Sequence, residues 1–256
     1  MFLSLISGSS GNATLISDEK TTILVDCGMS GKRLEQTLAS IHLSPKEIDA
    51  IFITHEHIDH TAGAGVICRR YQLPLYATAG TLSAMADKKI PDSCVHIIRP
   101  NCPLELGSIA IRPFSISHDA SDPVGFRMSV KQETYAIATD TGVMTPEIYE
   151  NLLGADAVLL ESNHDPDLLM YGTYPYPLKR RIQSSKGHLS NPECAKTVVD
   201  LAKNGTKHIM LGHLSKENNT PQIAYKTAEN ALLAAGAAKD EIHLCVAERS
   251  EVTRLI

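Results

Sequence analysis

The chain has 256 residues, 43% of them apolar and 21% charged, with a formal net charge of −5. That balance excludes a disordered chain and a protein whose whole surface binds nucleic acid, while leaving room for a local basic patch. With no Trp and only four Phe, the core must be aliphatic. The six cysteines (Cys27, Cys68, Cys94, Cys102, Cys194 and Cys245) form no CxxC pair and read as thiols of a reducing compartment. The opening MFLSLISGSSGN is apolar but has neither a basic start nor a cleavage-like end, so a strand is expected there and not a signal peptide. No apolar run reaches membrane-spanning length, and a cytoplasmic location without membrane contact is expected.

Strand-like runs come first, at residues 2–7, 13–17 and 21–26, with the turn formers SGSSGN between the first two. For Ser9, Ser10 and Asn12 a turn is explanation enough. A helix is expected at about 30–41, then a helical start with Ser44 as cap and Pro45 in the first turn. AIFITH (50–55) reads as a buried strand and residues 60–71 as a helix, followed by short strands and helices to about residue 98. Hairpins are expected at 104–117, turning at Gly107-Ser108, and across 125–131 and 134–140. Thr145-Pro146 opens a helix, and AVLLES (157–162) is a buried strand. SNPE (190–193) has capping-box form and opens a helix to about 203, with Ala195, Val198, Val199 and Ala202 on one face. HIMLG (208–212) is a strand, and Thr220-Pro221 opens a helix striped by Ala224, Ala228, Ala231, Leu232 and Ala235. Residues 242–248 and 252–256 are expected to close the chain as a hairpin. Strands and helices mix throughout, which predicts an α/β fold of two mixed sheets packed together with helices outside, and one domain over 1–256.

The chemistry gathers at THEHIDH, which places His55, His57, Asp59 and His60 where a buried strand ends. Imidazole nitrogens and carboxylates suit borderline divalent metals such as zinc. Three more metal-competent side chains stand in the same setting: His118 ends IRPFSIS, Asp140 ends YAIAT, and His213 ends HIMLG. Neighbouring strands present such tips along one edge, so the groups can converge. Seven ligands suit two metals with open positions, which lower the pKa of a bound water and make hydrolysis the natural reaction class.

ILVDCG with Asp26, THEHIDH, His118, Thr139-Asp140 and His213 together resemble, in order, the motifs of the metallo-β-lactamase-fold hydrolases. The resemblance implies an αββα sandwich. It implies one metal on His55, His57 and His118 and a second on Asp59, His60 and His213, with Asp140 bridging and Asp26 orienting a ligand. Zinc is the first expectation for both, with manganese or iron as alternatives. No cysteine stands where true β-lactamases use a Cys ligand, and His57 stands where the redox di-iron branch has Glu; both point to another hydrolase branch. SGSSGN, ESNHD, GHLSN and LGHLSKENN look like the YycJ/WalJ/VicX group, regarded as phosphodiesterases or DNA 5′-to-3′ exonucleases. The order Glu161, His188, His213 also resembles the tRNA 3′-processing branch, where a Glu–His pair outside the metal shell assists the leaving group. The chain lacks the long arm that grips tRNA there.

Gly-His-Leu-Ser occurs twice, around His188 and His213, in different surroundings. His213 follows a strand. His188 follows a basic, Tyr-rich stretch carrying Tyr174, Tyr176, Lys179, Arg180, Arg181 and Lys186, expected as a loop, and precedes a capped helix. Such a segment suits phosphate and stacked bases. The expectation is a phosphodiesterase or 5′-to-3′ exonuclease acting on DNA, in preference to RNA, through a metal-bound hydroxide. Asp59 holds or deprotonates the water, and His188, oriented by Glu161, contacts the phosphate or protonates the leaving oxygen. His164, Ser215 and Asn218 are further candidate substrate contacts. Two readings compete: a small-molecule hydrolase for a thioester, lactone or small phosphodiester, and a metal-binding module without activity.

Overall fold

A run of antiparallel strands leads into a run of parallel ones, and this order occurs twice along the chain. In the computed structural model, which describes residues 1–237 and 241–256, the first run is β1 (Phe2–Ile6), β2 (Ala13–Ser17) and β3 (Thr22–Val25), continued by β4 (Ala50–Phe52), β5 (Leu75–Thr78) and β6 (Val95–Ile98). β1 to β3 pair antiparallel, and β3 to β6 pair parallel. Parallel neighbours need crossovers, which contain α1 (Gly31–Ser40), α2 (Ile58–Thr61), α3 (Ala64–Tyr71) and α4 (Ala79–Ala84). The second run is β7 (Leu104–Leu106), β8 (Ile109–Ser115), β9 (Val124–Val130) and β10 (Glu133–Ala138), all antiparallel. It continues in parallel through β11 (Ala157–Glu161), β12 (His208–Gly212) and β13 (His243–Val246). Its crossovers hold α5 (Pro146–Leu152), α6 (Pro166–Tyr171), α7 (Tyr176–Ile182), α8 (Asn191–Lys203) and α9 (Pro221–Ala234). Last comes β14 (Thr253–Arg254), antiparallel to β1.

Two seven-stranded sheets result, ordered β14-β1-β2-β3-β4-β5-β6 and β13-β12-β11-β10-β9-β8-β7. Three apolar layers hold them. Phe2, Ile23 and Phe52 of the first sheet meet Phe126, Tyr135 and Leu159 of the second in the middle layer. Leu24, Ile51 and Leu75 pack outward on Leu34, Leu38 and Ile67 of the first set of helices. Val158, Leu160 and Ile209 pack on Ile148, Val198 and Leu232 of the second. Strand β11 shows why its sequence is a continuous apolar run: Ala157 and Leu159 face the middle layer while Val158 and Leu160 face the helices, as for a parallel strand covered on both sides. The αββα expectation is met. No helix among the described residues is long and apolar enough to cross a membrane.

Three expectations need correction. The helix at 60–71 is broken between α2 and α3, because the Gly63 N–H donates to the Cys27 carbonyl at 2.9 Å. That bond pins the loop after β4 to the loop after β3. The basic stretch before His188 is helical over α7, with Pro175 and Pro177 fixing its first turn. The closing hairpin does not form: β13 joins the second sheet beside β12, and β14 joins the first beside β1. The polar ERSE link (248–251) therefore crosses between sheets, where Glu248 O accepts from Ser7 N at 3.2 Å and Ala247 N donates to Leu211 O at 2.8 Å.

Gly125 shows how closely β9 is packed: a Cβ there would lie 2.5 Å from the Phe114 ring and 2.7 Å from the Ile137 carbonyl oxygen. The second neighbour is backbone and cannot swing away. Gly125→Ala is expected to destabilise the fold by about 1–3 kcal/mol, read as a lower urea midpoint with unchanged m-value.

Candidate metal centre

Parallel strands share one direction, so their C-terminal tips line up. Asp26 follows β3, His55 lies three residues past β4, Asp140 two past β10, Glu161 ends β11, and His213 follows β12. His118, three residues past β8, reaches the same place from an antiparallel strand. The backbone turns sharply at three of these tips: Asp26, Asp140 and His213 have φ of 62°, 59° and 54°. Left-handed backbone at a non-glycine residue costs about 1–3 kcal/mol and persists where the surroundings over-determine it. Here it swings each side chain across the strand ends.

The seven expected ligands converge. His55 Nε2 lies 3.1 Å from His57 Nδ1, which lies 3.3 Å from His118 Nε2. Asp59 Oδ2 lies 3.5 Å from His60 Nε2 and 3.4 Å from His213 Nε2. Asp140 stands between the groups, with Oδ2 3.3 Å from His60 Nε2 and Oδ1 3.9 Å from His118 Nε2. Donor atoms sharing one tetrahedral zinc at about 2.0–2.1 Å are separated by about 3.3–3.4 Å, close to most of these spacings. Asp140 Oδ2 is buried without a hydrogen-bond partner. An orphaned carboxylate oxygen amid imidazole nitrogens fits a divalent cation.

Around this cluster, other groups fix which nitrogen of each ring faces inward. His118 Nδ1 donates to the Gly187 carbonyl at 3.1 Å. His60 Nδ1 is 2.7 Å from Asp26 Oδ2. Thr54 Oγ1 donates to Asp26 and lies 3.0 Å from His55 Nδ1. His213 Nδ1 and His188 Nδ1 both lie 2.8 Å from Glu161 Oε1. The other Glu161 oxygen accepts from Thr141 N at 2.8 Å and Leu189 N at 3.1 Å. Asp140, Glu161, His188 and His213 also lie close enough together to be considered as a metal-binding group. However, 2.8 Å is a charge-assisted hydrogen-bond length, shorter than a ligand-to-ligand edge, so protons and not an ion belong between Glu161 and the two rings.

Electrostatics divides the histidines. Burial holds His55 well below the usual imidazole range, aided by His60. Burial also lowers His118, against the pull of Asp140. His213 is pushed up to about 10: burial opposes this, but Asp140, Asp59 and Glu161 prevail. His60 is likewise raised, against burial, by Asp140 and Asp26. Burial would raise the Glu161 carboxyl, yet His188 and His213 draw it down to about 2.

The remaining candidates separate. His188 is not among the two ligand triads; its ring packs 5.1 Å from that of His118 and 5.2 Å from that of His213, with its side chain 17% exposed. Tyr176 is exposed, and Arg180 lies 6.0 Å over its ring. Tyr174 is half-buried and Lys186 exposed. Lys179 is committed elsewhere: its Nζ donates to Met170 O at 2.7 Å and Gly172 O at 2.8 Å. Arg181 pairs with Asp119 at 2.5 Å. Ser215 and Asn218 are buried and bonded to each other, Ser215 Oγ accepting from Asn218 N at 3.2 Å. His164 is buried, its backbone bridging to Ser190, and burial brings its imidazole down to about 4. These last three residues are therefore not exposed substrate contacts.

Two residues gain roles that their local sequence did not reveal. Asn12 is more than a turn former: its Nδ2 donates to Gly8 O at 3.2 Å and reaches Asp59 Oδ2 at 3.4 Å. Glu56, inside THEHIDH, accepts from Ser121 N and Oγ at 2.8 Å and ties this loop to the one bearing His118.

A family model described as the β-lactamase superfamily domain matches residues 21–214. The exodeoxyribonuclease WalJ of Streptococcus pneumoniae is 41% identical over 232 residues, spanning 89% of this chain and 86% of that protein. The exodeoxyribonuclease YycJ of Bacillus anthracis is 36% identical over 233 residues, spanning 90% and 88%. Among solved structures, zinc-bound PqqB from Methylobacterium extorquens superposes over 100% of both chains with a TM-score of 0.72 at 18% identity, a likeness of fold alone.

The carboxylates around His60 and His213 favour their charged forms, so a metal taking Nε2 of both rings would displace their protons. Loading the apoprotein at pH 7.5 should release about two protons per chain, read by calorimetry in buffers of differing ionisation enthalpy. Asp26→Asn should weaken metal affinity by about 10–100-fold in chelator competition, with the fold retained.

Proposed function

The chain belongs to the metallo-β-lactamase superfamily, and on that premise we propose that it is a dinuclear-metal phosphodiesterase that degrades DNA from the 5′ end. The observation carrying this reading is the Glu161 carboxylate, shared at 2.8 Å by the ligand candidate His213 and the non-ligand His188. A thioester expels a thiolate and needs no strong proton donor, whereas the deoxyribose oxygen of a phosphodiester leaves as an alkoxide and gains from one. Two relatives that match over most of their own length are exodeoxyribonucleases, which supports DNA as the polymer.

His55, His57 and His118 would hold one divalent metal, Asp59, His60 and His213 the other, and Asp140 would bridge them; zinc suits the donor set best. Such a pair supplies charge that activates water and neutralises phosphoryl oxygens. The chain's own groups do the rest. Asp59, fixed by His213, His60 and Asn12, orients the water and accepts its proton. His188 keeps Nδ1–H on Glu161, which leaves Nε2 to contact the phosphate and deliver a proton to the departing oxygen. Glu161 has all four acceptor positions filled and stays ionised, stabilising the imidazolium. Exposed Tyr171 and Tyr176 on α6 and α7 offer flat faces on which bases can stack, about 1–3 kcal/mol each.

His188→Ala should retain both metals and lose about 10²–10⁴-fold in turnover of phosphodiesters. Metal content by elemental analysis and kcat on bis-p-nitrophenyl phosphate and 5′-phosphorylated DNA check it. A variant that lost a metal equivalent would overturn the role given to His188. Preferential turnover of a thioester over both phosphodiesters would overturn the substrate class.

A further inference from the structure

The link between β13 and β14 returns to the end of the molecule that carries the metal-ligand candidates. β13 runs parallel to β12, so its exit lies beside that of the strand bearing His213. On this link Arg249 directs Nη2 toward the carbonyl of Leu214, the residue after His213, at 3.5 Å. Its Nη1 is buried and has no hydrogen-bond partner. Among the described residues no carboxylate lies within 4.0 Å of its guanidinium, although Glu248 and Glu251 stand on the same link. A guanidinium offers five N–H donors, and a charged donor buried without a partner is costly. Arg249 as a whole is only half-buried, so its uncompensated charge can take an anion as partner.

The surroundings say which end of the site the anion would occupy. A methyl group placed on Gly8 would lie 3.4 Å from Arg249 Nη1 and 3.1 Å from Leu214 O, so the guanidinium lies against the SGSSGN turn. The turn exposes Ser9 and Ser10 beside it, and neither hydroxyl has a partner among the described residues. From the same turn Asn12 reaches Asp59. Arg249, Ser9 and Ser10 thus flank the half of the centre formed by Asp59, His60 and His213. The opposite flank, near His57 and His118, has its arginine already neutralised by Asp119.

We propose that Arg249 and the Ser9–Ser10 turn form a subsite for a second phosphate of the substrate strand, adjoining the phosphate that is cut. Guanidinium and hydroxyl donors match phosphate oxygens in charge and geometry. The inference rests on the phosphodiesterase reading for its substrate and adds a second point of attachment, which sets the strand's direction across the two metals.

The test uses the metal-loaded full chain and three probes, the dinucleotides TpT, pTpT and TpTp, with binding measured by calorimetry. One phosphorylated probe should bind at least about 10-fold more tightly than TpT, in line with a charge-assisted contact. Arg249→Gln, which keeps a donor for Leu214 but removes the charge, should abolish that difference, and Arg249→Lys should restore part of it. Metal content should stay the same in all variants. No discrimination by the wild-type chain, or equal discrimination by Arg249→Gln, overturns the subsite. Phosphate-dependent binding that Arg249→Gln removes, together with no cleavage of DNA by the wild-type chain, keeps the subsite and strikes down the DNA reading.

Discussion

A carboxylate with no exposed surface, Glu161, ties the strand ends together. It ends β11, and its two oxygens take four donors from three other segments: Thr141 past β10, His188 and Leu189 before α8, and His213 past β12. Burying a carboxylate is costly unless it is fully hydrogen-bonded, and here it is. The consequence is geometric. Two imidazoles share one oxygen, so their positions are coupled, and neither ring can turn without exposing the charge. Asp26 does the corresponding work in the first sheet, taking Thr54 and His60. Each of the two half-structures thus places one buried carboxylate behind the histidines it presents.

That correspondence extends to the backbone. β3 and β10 are the strands at which each sheet changes from antiparallel to parallel pairing. Both are followed by an aspartate in left-handed conformation, Asp26 and Asp140. One lies behind His60 and the other between the two ligand groups, so the same local device serves as a support in one half and as a bridge in the other. The change of role follows from what faces each: Asp26 is enclosed by Thr54 and His60, while Asp140 has an oxygen left without a partner.

Much of this was legible in the sequence because strand ends are. An apolar run followed by His or Asp marks a tip, and parallel pairing aligns tips, so His55, His118, Asp140 and His213 could be read together. Continuous apolar runs such as AVLLE marked the doubly covered strands. What stayed hidden depended on contacts distant along the chain. Lys179 and Arg181 read as free cations, but carbonyls of α6 and Asp119 take them. Ser215 and Asn218 read as phosphate binders because buried polar pairs look like exposed ones in one dimension. The reach of Asn12 to Asp59 and of Glu56 to Ser121 had no local signal, since each crosses to a separate loop. The closing strands read as a hairpin because turn residues between two apolar runs do not tell which sheet each run will join.

The separation of β13 from β14 has a kinetic consequence. Leu3 pairs with Arg254, so the first sheet lacks its edge strand until β14 has been made. At about 5–20 residues per second of synthesis, the amino-terminal strands wait roughly ten seconds to a minute for that partner. The link that makes the pairing also delivers Arg249 to the Gly8 turn. The edge strand and the arginine therefore emerge together, after every member of the histidine cluster has been made.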